Sequence, residues 1–140
     1  MKVQFFFTDK NVKLADRTRL KNFIASIFKR EKKSASSLTY VFCSDEYLLD
    51  INKQFLQHDY YTDIITFDLS STKGVIEGEI YVSIDRVKDN ASQQGVTIES
   101  ELHRVIFHGV LHLCGYKDNK PEDKRMMRAV EDKYLKLYFK

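Results

Sequence analysis

Tryptophan is absent from this chain of 140 residues, proline occurs once, cysteine twice and glycine five times. The two cysteines, Cys43 and Cys114, are far apart and set in apolar surroundings. They make no disulfide framework, a usage that suits a reducing cytoplasm. The lone Pro121 leaves no proline-rich linker, and no repeat or low-complexity tract is visible. No apolar run approaches the ~18 residues of a membrane span. The first ten residues carry three Phe but also Asp9, with no small-residue cleavage site, so they do not read as a signal peptide. What is present is a globular composition, 43% hydrophobic and 31% charged, with ten Phe and eight Tyr as bulky core material. The length suits a single domain over residues 1–140. The net charge of +3 hides an asymmetry: both ends are basic and residues 34–116 are acidic. Such an arrangement is compatible with a polyanionic partner, and equally with lysine-rich helix surfaces.

Hydrophobic periodicity orders the chain. A strand is expected over residues 2–8, then a helix over 13–32 whose Leu20, Phe23, Ile24, Ile27 and Phe28 share one face. Leu38–Cys43 reads as a strand, Asp45–Phe55 as a helix capped by Ser44 or Asp45, and Ile64–Leu69 as a strand. From Ile76 to Ser83 apolar and polar residues alternate, as in a half-buried strand. The short loop between these last two strands predicts antiparallel pairing. Residues 84–94, 97–114 and 121–138 read as helices, with Pro121 in the first turn of the last. Ser34–Ser37 and Ser70–Gly74 are expected as loops, and Met126 and Met127 as core. The order β-α-β-α-β-β-α-α-α predicts an α+β fold, one small mixed β-sheet of about four strands covered by helices.

The chemistry is concentrated in His108-Gly-Val-Leu-His112-Leu-Cys-Gly-Tyr-Lys-Asp118. Histidines four apart on a helix project from the same face. Both imidazoles can then reach one metal ion at about 2.0–2.1 Å. Gly115 can end the helix in a left-handed cap, after which the chain can bring Asp118 back as a third ligand. Two His and one carboxylate suit zinc with a fourth position open to water. A pair of helix histidines can also be purely structural. His103 falls on the opposite side and reads as structural, as does Cys114. Glu101 and Arg104 share the histidine stripe, as partners of the imidazoles or as a solvated edge. A zinc protease of the H-E-x-x-H type would carry Glu after the first His; Gly109 stands there and cannot take a proton.

This segment resembles the H-G-x-L-H-L-x-G-Y-D-H signature of the YbeY family. Residues 51–67, which include Asn52, Asp59, Thr62, Asp63 and Thr66, are similar to the family stretch L-N-x-x-Y-R-x-x-D-x-P-T-D-V-L-S-F. Gly78-Glu79-Ile80 with Ser83 resembles its G-D-I-x-I-S. Met127 and Glu131 match a Met and a Glu in its last helix. The resemblance implies a zincin-like metal helix and a metal-dependent, single-strand-specific endoribonuclease. It further implies maturation of the 3′ end of small-subunit ribosomal RNA and ribosome quality control in the cytoplasm. Ribosomal RNA and the ribosome would be the partners, and neither a membrane nor DNA is expected.

Three positions depart from the family pattern. Asp118 replaces the third metal His, Leu56 replaces an Arg thought to hold phosphate, and Lys117 replaces an Asp. On this reading His108, His112 and Asp118 hold one divalent metal ion, zinc by donor type. The catalytic side chain is unassigned, because either metal-activated water or a polarised phosphate would serve. Asn52, Asp59, Thr62 and Asp63 are candidates for the cleft wall or for simple caps and turns. Gly78 and Ile80 are expected either at a sheet edge that takes extended substrate or at a close packing contact. Two other functions stay open: a non-catalytic ribosome assembly factor with a structural metal, and a metallohydrolase of another class, such as a peptidase.

Overall fold

A computed structural model describes residues 1–58 and 61–140; Asp59 lies outside the described residues. The elements in chain order are β1 (Lys2–Phe7), α1 (Arg17–Arg30), β2 (Ser34–Cys43), α2 (Asp45–Leu56), β3 (Ile64–Asp68), β4 (Val75–Ser83), α3 (Ile84–Gln94), α4 (Ile98–Leu113) and α5 (Pro121–Tyr138). The expected order of elements is met. Ser44, Ser83 and Thr97 accept hydrogen bonds from the first-turn amides of α2, α3 and α4, and so set where those helices begin. Helix α1 starts four residues later than its apolar pattern suggests. Asp16, at φ 51°, caps it by accepting from the Arg19 amide.

The sheet order is β1-β2-β4-β3. Strands β1, β2 and β4 run parallel, and β3 is antiparallel to β4 as expected from the short loop. Ser34–Ser37 is strand and not loop. Its backbone pairs with Val75–Glu77 of β4 across a bulge between Ala35 and Ser37, and that pairing overrides the weak strand propensity of serine. Of the two expectations for Gly78 and Ile80, close packing is met and the sheet edge is corrected, because β4 is paired on both sides and the edges are β1 and β3.

The alternation along β4 assigns each face a partner. Gly78, Ile80 and Val82 are buried on the face that meets α1, α4 and α5, in a core with Leu20, Ile24, Phe107 and Tyr134. Tyr81 turns the other way and packs with Cys43, Leu48 and Ile65 under α2. Helix α4 is the central element, buried over most of its circumference. It approaches β4 at two glycines. A Cβ on Gly109 would stand 2.6 Å from Ile80 Cδ1, and one on Gly78 would stand 2.7 Å from Leu113 Cδ1. The hydroxyl of Tyr40, on β2, donates to the Ile106 carbonyl at 2.8 Å and ties the helix to the sheet. Met127 is core, but Met126 is 58% exposed, because adjacent helix residues point about 100° apart and α5 turns Met127 toward the core. No helix among the described residues is long and apolar enough to cross a membrane. Cys43 and Cys114 are both free and buried, and burial pushes each thiol up to about 12.

Candidate functional site

Helix α4 presents His108 and His112 one turn apart, with near-parallel rings (8°) whose centroids are 6.2 Å apart. The helix ends as its glycine suggests. Gly115 adopts φ 107°, its amide bonds the His112 carbonyl, and the Tyr116 amide bonds the Leu111 carbonyl. These two bonds form a Schellman motif, which turns the chain back toward the helix. That turn brings Asp118 Oδ2 to 3.4 Å from His108 Nε2. His108, His112 and Asp118 line one cavity of about 320 Å³, together with Thr62, Asp63 and Thr66 from the β3 side. The three residues expected as ligands thus line one cavity.

The other ring nitrogen of His108 is held from α5. Its Nδ1–H donates to Glu131 Oε2 at 2.6 Å, which leaves Nε2 facing the cavity. Arg104, one turn before His108, donates to Glu131 Oε1 at 3.0 Å and to Asp132 at 2.6 Å. So Arg104 belongs to the histidine support and not to a solvated edge. Burial opposes a charge on His108, but the hydrogen bond and charge of Glu131, then Asp118 and Asp63, raise its pKa above the ordinary value. Asp63 is shifted upward, mainly because burial disfavours its anion.

Other candidates fall elsewhere. His103 is buried, donates from Nδ1 to the Glu99 carbonyl and stacks on Tyr138, a structural role. Asn52 is buried on α2 and does not line the cavity. Leu56 and Lys117 are exposed, and neither lines it. Glu101 does not reach the imidazoles; it lines a neighbouring cavity. Thr62 and Asp63, candidates for the cleft wall, do line the cavity, whereas the role of Glu131 as the partner of His108 was not assigned from the sequence. Glu131 did carry a readable signal: it is an acid on the buried stripe of α5, between Met127 and Tyr134.

A family model described as endoribonuclease YbeY matches residues 4–138. The chain belongs to the endoribonuclease YbeY family. It is thus a member of a family of RNA-cleaving hydrolases. It is 56% identical over 133 residues to endoribonuclease YbeY of Cytophaga hutchinsonii, covering 95% of this chain and 93% of that one. The YbeY of Flavobacterium psychrophilum is 47% identical over 125 residues, 89% of each chain. That of Porphyromonas gingivalis is 43% identical, covering 96% of this chain and 88% of its own. The solution structure of TM1509 from Thermotoga maritima shares the fold, with a TM-score of 0.60 at 24% identity over 98% of this chain and 89% of that one.

The donor types suit a divalent ion, two imidazoles and a carboxylate lining one space, with one imidazole oriented by a second carboxylate. As they stand, no group of three or more His, Cys, Asp or Glu among the described residues is arranged so that it could hold a metal ion. His112 is exposed, so the cavity is reachable from solvent.

Proposed function

We propose that this chain cleaves single-stranded RNA with a divalent metal ion, zinc by donor type, held by His108, His112 and Asp118. The observation that carries the reading is the shared cavity of these three residues, with Glu131 fixing His108 so that Nε2 faces it. When bound, the ion supplies Lewis acidity toward a phosphodiester. The protein's own part is positioning. Glu131 and Arg104 hold the His108 ring, the Schellman turn sets Asp118, and Asp63 adds a second carboxylate to the same space. The family resemblance supports a role at the 3′ end of small-subunit ribosomal RNA and in ribosome quality control. The partners are then ribosomal RNA and the ribosome, the compartment is the cytoplasm, and residues 1–140 act as one domain. The basic ends of the chain contribute electrostatic attraction to the RNA.

A peptidase is disfavoured by the fold itself. The position after His108 points into the sheet at Ile80, where the general-base Glu of H-E-x-x-H proteases has no room. The test is cleavage of a single-stranded ribosomal RNA fragment by metal-loaded protein, with His112→Ala prepared identically. Cleavage by the wild type alone supports the reading, and equal cleavage by both overturns it. Bound metal, measured in parallel, should fall in His108→Ala and Asp118→Ala while circular dichroism stays native. Unchanged metal in both would remove these residues from the ligand set, and silence of folded, metal-loaded wild type would favour the assembly factor.

A further inference from the structure

A second cavity, of about 300 Å³, adjoins the His108 site and shares Asp63, Ile64, His108 and Asp118 with it. Arg104 and Glu131, which hold the His108 ring, also line it, and the proposed chemistry uses none of its remaining walls. Its apolar walls are Ile64, Val105 and Met127, and Lys124 and Arg128 stand at its exposed rim. Arg128 is steadied there by donating to Gln94 Oε1 at 3.1 Å. Among these walls lies Glu101, only 4% exposed, whose Oε1 has no hydrogen-bond partner among the described residues. A buried acceptor without a donor is costly, so a guest that brings a donor to it is stabilised. Burial shifts the Glu101 carboxyl upward against the pull of Arg104 and Arg128, which marks the same desolvation. Rotation about the last side-chain torsion, broad in glutamate, can present the oxygen to a guest.

We propose that this second cavity receives one base of the RNA strand being cut and that Glu101 reads the donors on that base's Watson–Crick edge. The inference rests on the nuclease reading above. Unpaired strands expose those edges, and apolar side chains can hold the faces of the ring. The Met127 sulfur suits an aromatic guest, and the rim cations suit the phosphates that flank it. Guanine matches a carboxylate best, because its N1–H and 2-amino group are adjacent donors. Uracil matches it worst, since its single N–H lies between two carbonyl oxygens that oppose the carboxylate. The cavity thus favours guanine over uracil beside the scissile phosphate.

The test is nuclear magnetic resonance titration of the full chain with guanosine, inosine and uridine 5′-monophosphates, alongside the RNA cleavage assay. Guanosine monophosphate should bind about tenfold more tightly than the uridine nucleotide. Inosine monophosphate, which lacks the 2-amino donor, should fall between them. Amide shifts should centre on Glu101, Val105 and Arg128. Glu101→Gln, nearly isosteric, should erase the preference because a carboxamide both donates and accepts. Equal binding of the three nucleotides by the wild type would overturn the inference without any variant, as would shifts away from this cavity or an unchanged preference in folded Glu101→Gln. Cleavage without base preference counts against the base cavity alone. Base preference without cleavage counts against the nuclease reading and leaves the cavity as a nucleotide site.

Discussion

Replacing Arg104 by Leu tests whether the support of His108 works as a unit. Glu131 is 6% exposed in its side chain and Arg104 15%, with 3.0 Å between Nη1 and Oε1. Removing one partner of a buried pair leaves an uncompensated charge, which costs about 3–5 kcal/mol. Glu131 keeps the His108 Nδ1–H as a second partner, so the lower end applies. The bond to Asp132 adds little, since that carboxylate is 47% exposed and such surface pairs contribute about 0–1 kcal/mol. The expected loss is about 3 kcal/mol, or roughly 12 °C in Tm at about 4 °C per kcal/mol for a chain of this size. Urea unfolding gives the number from the shift in midpoint at constant m. The decisive arm is a double-mutant cycle. In Glu131→Gln the buried charge is already gone, so Arg104→Leu should then cost about 1 kcal/mol, a coupling of about 2 kcal/mol. Additive losses, within about 0.5 kcal/mol, would refute the idea that Arg104 acts through Glu131.

Two more outcomes follow from the packing and the charges. Gly109→Val should destabilise by about 1–3 kcal/mol through overpacking, since even a Cβ meets Ile80 at 2.6 Å in a fully buried position; an unchanged urea midpoint would show that α4 can lift off the sheet. Stability should also fall as the pH drops below about 4. The Ser44 hydroxyl holds the Asp9 carboxyl low, and the Asp45 amide and Lys10 hold Asp85 low. A carboxyl with a lowered folded-state pKa contributes stability above its unfolded value, and this is lost as the pH falls through the folded one. Asp9→Asn should flatten that acid slope in unfolding measured from pH 5 to 2.5, and an identical slope would refute the assignment.

Most of the architecture was legible locally. The i, i+4 pattern of α1 and the alternation of β4 each report which face is apolar, and burial follows from that. Ser44 placed the start of α2, Pro121 that of α5, and Gly115 the end of α4. The exceptions have one cause. Ser34–Ser37 has loop-like composition yet pairs with Val75–Glu77, and strand pairing is a contact between distant segments that no local window contains. Met126 and Met127 look alike in composition, and the rotation of α5 against the core separates them.

The site divides in the same way. The amino-acid sequence alone determined that His108 and His112 project together and that a glycine turn follows, because helical spacing and a positive φ are properties of consecutive residues. It also determined the family, through motifs that keep their order along the chain. Only the tertiary structure decided that Glu131 and Arg104 support His108, that Asp63 joins the cavity, and that Glu101 lies buried in a neighbouring one. Those contacts join α4 to α5 and to β3 across more than twenty residues of chain. Their energies depend on the exclusion of water, and water is excluded only once the helices are packed on the sheet.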